Sequence, residues 1–306
     1  MDSTKLEEDP IIYGLLQLPA DSEVVTDADE EIFLLYTDLQ RNAGSVPSGL
    51  GHVDARKDTL SLTFELLPPP TAVSSPGVKR SKAKSKRTAE VRERVVEVEL
   101  VQDKTALQTR KGDTGSVLWR VTIEFARVLL QQNHIRISTA LLEPTKLANA
   151  RVLELGAGTG LLSILLAPLV SRYTATDLPE LLPLIRKNIA LNLPPSPAPN
   201  ITVSALDWHA LLAAPQFFPR PAEPTDLILA VDCIYHPALV PPFLAALTHF
   251  AVPGRTAVLV AVELRAADVL QAFVEQWVGA SGWEVRRVGG ALWDMPWVVW
   301  AGWRLE

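Results

Sequence analysis

Residues 152–160 read Val-Leu-Glu-Leu-Gly-Ala-Gly-Thr-Gly, an apolar run that ends in alternating glycines and opens onto a second apolar stretch with helical spacing, residues 161–170. A short apolar run closed by turn residues suits a strand buried on both faces. Glycines at Gly156, Gly158 and Gly160 let the chain turn sharply into a helix and leave bare backbone for a ligand to lie against. Turns of this kind belong to open α/β sheets, whose ligands sit outside the carboxyl ends of the strands. Asp177 closes the next apolar run, 173–176. It stands about 20 residues on, where a doubly wound sheet places the carboxylate that grips a ribose. The spacing is G-x-G-x-G rather than the dinucleotide G-x-G-x-x-G, so a tight turn that binds nothing is the alternative for the loop taken alone.

The acidic residue Glu154, leading the loop, and Asp177 together resemble the motif pair of S-adenosylmethionine methyltransferases. That resemblance implies close approach of the Gly156-Ala157-Gly158 backbone to a methionine moiety. It also implies a carboxylate for two ribose hydroxyls, with no pyrophosphate cradle.

Beyond this turn, strands and helices alternate. Strands are expected at 151–155, 173–177, 201–206, 227–232 and 256–263, with helices at 181–193, 241–251 and 266–279. Two closing strands, 283–288 and 297–305, are close enough to be antiparallel at one edge. The pattern predicts a mostly parallel, Rossmann-like seven-stranded sheet with helices on both faces. A helix over 116–130 leads into it. Upstream, 30–40 reads as an amphipathic helix, with Ile32, Leu35, Tyr36 and Leu39 on one face. The runs 60–66 and 95–101 alternate like half-buried strands and are expected to pair as a long-looped hairpin. Between them lie a proline-rich break and a basic run, Lys79 to Arg87. The chain thus divides into a β-containing N-terminal extension, 1–113, with a disordered basic loop over about 68–94, and a sheet domain, 114–306. The basic run reads as a solvated insert, with a nuclear-import signal or an RNA contact as the alternatives.

A net charge of −6 argues against a dedicated nucleic-acid binder. The single cysteine, Cys233, excludes an internal disulfide and suits a reducing compartment. The acidic N-terminus has no signal-peptide core, and no apolar run reaches the ~18 residues of a membrane span. The expected setting is the cytoplasm, with the nucleus as an alternative. No His/Cys/Asp cluster has metal-ligand spacing, so no metal is expected.

Candidate site residues fall at the strand ends. Asp207 and Trp208 follow the third strand, where an aspartate can accept from an adenine amino group and an indole can stack on the ring. Ala230 is small enough to admit an adenosine. Asp232 and Tyr235 would face the reacting centre. Each has a plainer alternative: Asp177 and Asp232 as helix caps, Trp208 as core packing.

The segments Glu154 to Gly160, Asp207-Trp208 and Asp232-Cys-Ile-Tyr235 resemble the motifs of methyltransferase family 16, the seven-strand protein-lysine methyltransferases. Asp232 to Tyr235 fits the family's D-x-x-Y signature, and Thr114-Gly-Ser-Val-Leu-Trp119 matches its segment before the sheet. The resemblance implies a class I S-adenosylmethionine fold, with cofactor contacts at Trp119, the Gly156–Gly158 loop, Asp177, Trp208 and Ala230. Residues 60–65, 205–208, 242–244 and 264–265 are further similar to a fungal subgroup that methylates a ribosomal protein, which implies the L1-stalk protein of the large subunit as substrate.

Overall fold

The computed structural model describes residues 10–41, 51–68, 92–103, 114–136, 140–195, 200–290 and 296–306. The basic run Lys79 to Arg87 lies outside them. In chain order, the strands β1 (Ile11–Tyr13), β2 (Leu16–Leu18) and β3 (Glu23–Val24) precede the helix α1 (Ala28–Arg41). The strands β4 (Thr59–Leu66) and β5 (Arg94–Val101) follow, then the helices α2 (Arg120–Ile135) and α3 (Pro144–Leu147). Alternation then sets in: β6 (Arg151–Leu155), α4 (Leu161–Leu166), β7 (Arg172–Asp177), α5 (Leu182–Asn192), β8 (Ile201–Ala205), α6 (Trp208–Ala213), β9 (Leu227–Val231), α7 (Val240–Phe250), β10 (Ala257–Glu263) and α8 (Ala267–Gly279). The strands β11 (Trp283–Arg287) and β12 (Trp297–Arg304) complete the order.

The main sheet runs β3-β11-β12-β10-β9-β6-β7-β8. Strands β8, β7, β6, β9 and β10 are parallel, and β12 lies antiparallel between β10 and β11. The parallel strands read as continuous apolar runs because both their faces are covered: every residue of β10 is buried. The seven-stranded expectation holds, and β3 adds an eighth strand at the edge. Its two residues, Glu23 and Val24, pair with Arg287 and Arg286, too short and polar a run to announce itself. The β1–β2 hairpin over Gly14 was equally unmarked.

Two apolar layers sandwich the sheet. Phe125, Leu129, Leu162 and Ile185 from α2, α4 and α5 form one, joined by Phe64 and Leu100 of the β4–β5 hairpin. Ile32, Phe243, Phe273 and Trp277 from α1, α7 and α8 form the other. The tryptophans of β12 divide between them, Trp297 and Trp303 to the first and Trp300 to the second, as side-chain alternation along a strand requires. Each such side chain contributes about 1.5–3 kcal/mol by leaving water.

The hairpin forms as its alternation predicts, with Leu60 opposite Leu100 and Phe64 opposite Val96. Two helical expectations need correction. The helix expected from residue 116 starts at Arg120. Residues 115–117 form a turn, and 118–120 pair with 51–53: Val53 N–H donates to Leu118 O at 2.9 Å, and Arg120 N–H donates to Gly51 O at 2.9 Å. The helix expected over 161–170 stops at Leu166 and tightens into a 3₁₀ turn over Ala167–Leu169, because Pro168 has no N–H to continue the ladder. Among the described residues, no helix is long and apolar enough to cross a membrane.

The chain passes outward from β6 through β7 to β8, then returns to the other side of β6 as β9 and β10. That reversal between β6 and β9 opens a crevice at the carboxyl ends of the strands.

Candidate functional site

The glycine loop forms the floor of the crevice. Gly156, Gly158 and Gly160 have φ of 71°, 55° and 81°, the left-handed region that side chains resist. A Cβ on Gly156 would stand 2.7 Å from Cys233 Sγ and 3.4 Å from the Trp208 ring. The loop amides already have partners: Gly156 and Ala157 N–H donate to Thr176 O at 3.0 Å each, and Gly158 N–H donates to Asp177 Oδ2 at 2.7 Å. The loop therefore offers close backbone contact rather than a nest of anion-seeking N–H groups. Asp177 Oδ1 accepts from Leu178 N–H at 2.8 Å. The carboxylate so braces the loop from the end of β7.

Glu154 is wholly enclosed. Ser163 Oγ donates to its Oε2 at 2.7 Å and Tyr173 Oη donates to the same oxygen at 3.0 Å. Burial pushes its pKa up to about 7, and those two hydrogen bonds pull the other way. Both bonds run to α4 and β7, so this carboxylate anchors the helix behind the loop. Asp207 caps α6, its Oδ1 accepting from His209 N–H at 2.8 Å and Ala210 N–H at 3.2 Å. The capping orients Trp208, which meets Phe243 edge-on at 5.2 Å and keeps its ring against Gly156. Trp208 Nε1 is buried without a hydrogen-bond partner.

The other end of the crevice is built around Asp232. It is one of two described non-glycine residues with positive φ, at 57°, a conformation that costs about 1–3 kcal/mol and persists where surrounding structure enforces it. Asp232 N–H donates to Ala261 O at 2.7 Å, and the carboxylate is almost fully buried, with Arg265 Nη2 2.5 Å from Oδ2. Burial raises its pKa; the Arg265 charge opposes that rise. Burial likewise pushes the Cys233 thiol well up, which keeps it protonated and unreactive. Tyr235 stands at the mouth, 39% exposed. Trp119 lines the cleft at the same end, its Nε1 donating to Thr114 O at 2.9 Å.

These groups enclose a cleft of ≈ 970 Å³, counting its open mouth. Trp119, Glu154, Gly156, Ala157, Gly158, Asp177, Asp207, Trp208, Asp232 and Tyr235 all line it. Ala230 does not: it is fully buried between Leu155 and Val260, and the adjacent Val231 lines the cleft instead. Successive strand residues face opposite sides, so an offset of one moved the choice into the core.

Sequence reasoning also missed Gly115. A Cβ there would stand 2.7 Å from Leu181 and 3.6 Å from Gly158, so the pre-sheet segment lies directly over the glycine loop. Its signal was a glycine immediately before an apolar run ending in tryptophan. His236 caps the Pro237–Leu239 turn, its Nδ1 accepting from Ala238 N–H at 3.1 Å. Among the described residues, no group of three or more His, Cys, Asp or Glu could hold a metal ion.

S-adenosylmethionine fits this cleft on observations internal to it. The floor is backbone that a Cβ would obstruct, a carboxylate sits on the loop, and an indole with an unpartnered N–H flanks it. A profile described as lysine methyltransferase matches residues 101–276, more than half of the chain. The chain is similar to ribosomal lysine N-methyltransferase 5 of Candida glabrata, with 26% identity over 315 residues that cover 82% of this chain and 89% of that one. It is 43% identical over 94 residues to the protein-lysine methyltransferase METTL21E of Bos taurus, covering 30% and 32% of the two chains. A 34% identical match over 186 residues joins it to a diaminohydroxyphosphoribosylamino-pyrimidine deaminase of Schizosaccharomyces pombe, covering 58% of this chain and 41% of that one. The chain thus spans less than half of that longer protein. With this strand order, this cleft and this match, the chain belongs to the lysine methyltransferase family, class I enzymes that take their methyl group from S-adenosylmethionine.

Proposed function

We propose that the protein methylates the ε-amine of a lysine in a protein of the large ribosomal subunit, the L1-stalk protein. The observation that carries this reading is the near end-to-end similarity to a ribosomal lysine N-methyltransferase, which spans 82% of this chain. A ribosomal substrate would put the enzyme in the cytoplasm.

Roles follow from where the residues stand. The Gly156–Gly158 backbone would hold the methionine moiety, Asp177 the ribose hydroxyls, and Trp208 the adenine face beside Asp207. The bound cofactor supplies an electrophilic methyl group. Transfer is a direct in-line displacement that needs the amine nitrogen about 3 Å from the methyl carbon, opposite the sulfur. It also needs a neutral amine, whereas a free lysine with a pKa near 10.4 is deprotonated in fewer than about one copy in a thousand at pH 7. The apolar wall near Trp119 and Val231 disfavours the cation. Asp232 guides and orients the incoming ammonium, and Tyr235 shapes the channel at the mouth.

The test is mass spectrometry of ribosomal proteins from cells with and without the gene, followed by incubation of the unmethylated set with purified protein and labelled S-adenosylmethionine. The expected result is a large-subunit lysine that loses its methyl groups in the deletion and regains them in vitro. Unchanged lysine methylation in the deletion, or label entering RNA instead of protein, would sink the ribosomal-protein reading.

A further inference from the structure

Behind Asp232 lies a second layer of charge that does not line the cleft. Arg265, just past β10, places Nη2 2.5 Å from Asp232 Oδ2 and Nη1 3.5 Å from Glu263 Oε2. Its guanidinium carbon lies 4.4 Å from the centre of the Trp119 ring, a cation–π contact. Both Glu263 oxygens accept from Gly51 N–H, at 3.1 and 2.9 Å, and His52 meets the Trp119 ring edge-on at 5.9 Å. One guanidinium therefore touches a carboxylate and an aromatic ring that both wall the cleft, while standing outside it.

We infer that Arg265 is a positioning residue of the methyl transfer: it ties the Asp232 carboxylate to the Trp119 ring and fixes the charge at the acceptor end of the cleft. The inference rests on the assignment of S-adenosylmethionine to this cleft. The groups around Asp232 are Arg265 and Glu263 from the end of β10, and Cys233 and Tyr235 from its own turn. Glu154 and Asp177 act on Cys233 from across the crevice. Without Arg265, two acids would share a nearly dry wall, and Asp232 could keep its charge only at higher pH. With Arg265, an incoming cation meets a compensated pair rather than a bare carboxylate. An ammonium held by a bare carboxylate stays protonated and cannot attack, so the arginine keeps the guide from becoming a trap.

S-adenosylmethionine and S-adenosylhomocysteine serve as probes, because they differ only by a methyl group and the fixed positive charge it creates. Calorimetry from about pH 6 to 9 gives the ratio of their dissociation constants. Glu154 lines the same cleft and ionises near 7, so the intact protein sets the baseline pH course of the ratio, and Arg265→Lys should follow it. For Arg265→Gln, the preference for the cation should rise several-fold more with pH than in the intact protein, as Asp232 ionises. The double variant Asp232→Asn, Arg265→Gln should return to the baseline, which separates charge from a merely structural defect. A ratio in Arg265→Gln that follows the baseline, or an equal departure in Arg265→Lys, overturns the inference. An intact protein that binds neither probe overturns the cofactor assignment and this inference with it. The ribosomal substrate is decided separately, by the mass spectrometry above.

Discussion

Glu154 holds its proton because the fold encloses it, and that enclosure makes the protein's stability depend on pH in a definite direction. Its pKa rises from an unfolded value near 4.5 to about 7. A carboxyl that binds its proton more tightly when folded contributes stability that is fully present below the unfolded pKa and is lost as pH rises through the folded one. The shift corresponds to about 3 kcal/mol. Urea unfolding of the intact protein should lose about 3 kcal/mol more than that of Glu154→Gln between about pH 4.5 and 8. An equal loss in both would mean that the enclosed carboxyl keeps its ordinary pKa. At this scale, sequence reading reached the residues whose type is itself the signal. Glycines before a helix, an aspartate after a strand and D-x-x-Y are visible as letters. The anchoring role of Glu154 was not visible, because Ser163 and Tyr173 become its partners only when α4 and β7 close around β6. The contacts of Arg265 were hidden for the same reason: Asp232 and Trp119 come from distant segments.

Between elements, side chains stand in for missing backbone. The edge of β5 is bound to α5 by two asparagines. Asn188 Oδ1 accepts from Val101 N–H at 2.8 Å, and its Nδ2 donates to Val101 O and Thr159 O at 2.9 Å each. Asn192 repeats the exchange with Glu99, at 2.9 and 2.7 Å. The hairpin is thereby held to the loop that carries the cofactor site, since Thr159 belongs to that loop. Asn188 is completely buried, and truncating it strands one backbone donor and two acceptors, at about 1–3 kcal/mol for each group left unpaired. Asn188→Ala should therefore lower the denaturant midpoint clearly more than Asn192→Ala, whose partners can turn to water. Equal midpoints would show that the hairpin is held by its apolar face alone. The elements were largely legible because alternation and helical periodicity report burial, and burial decides them. The start of α2 was not, because residues 51–53 pair with 118–120 and hold Leu118 and Trp119 out of the helix.

Across the molecule, the N-terminal segment is fastened to the far edge of the sheet by buried charge. Arg287 Nη1 donates to Glu31 Oε2 at 3.0 Å, Trp300 Nε1 donates to Glu31 Oε1 at 2.8 Å, and Glu23 takes the other arm of the guanidinium. Removing Glu31 leaves the buried guanidinium only the exposed Glu23 and leaves Trp300 Nε1–H without its acceptor, at a cost of about 3–5 kcal/mol. Glu31→Ala should cost about that much in thermal or denaturant unfolding, and Glu31→Ala with Arg287→Met should recover part of it. If the double variant is no more stable than the single one, the charges act independently. A polar clasp of this kind leaves no periodic trace in the sequence, which is why α1 was foreseen as a helix but its attachment was not.

The sheet order also sets a sequence of assembly. Strand β3 reaches the sheet only through β11, and β11 only through β12. The first segment of the main sheet to be synthesised therefore waits for the last, and a chain halted before Trp297 would carry a bare β10 edge with β3 and β11 undocked. Closure of that flank is a contact between distant parts of the chain, the slow kind, and until it happens the exposed edge is the place where a growing chain would need shielding.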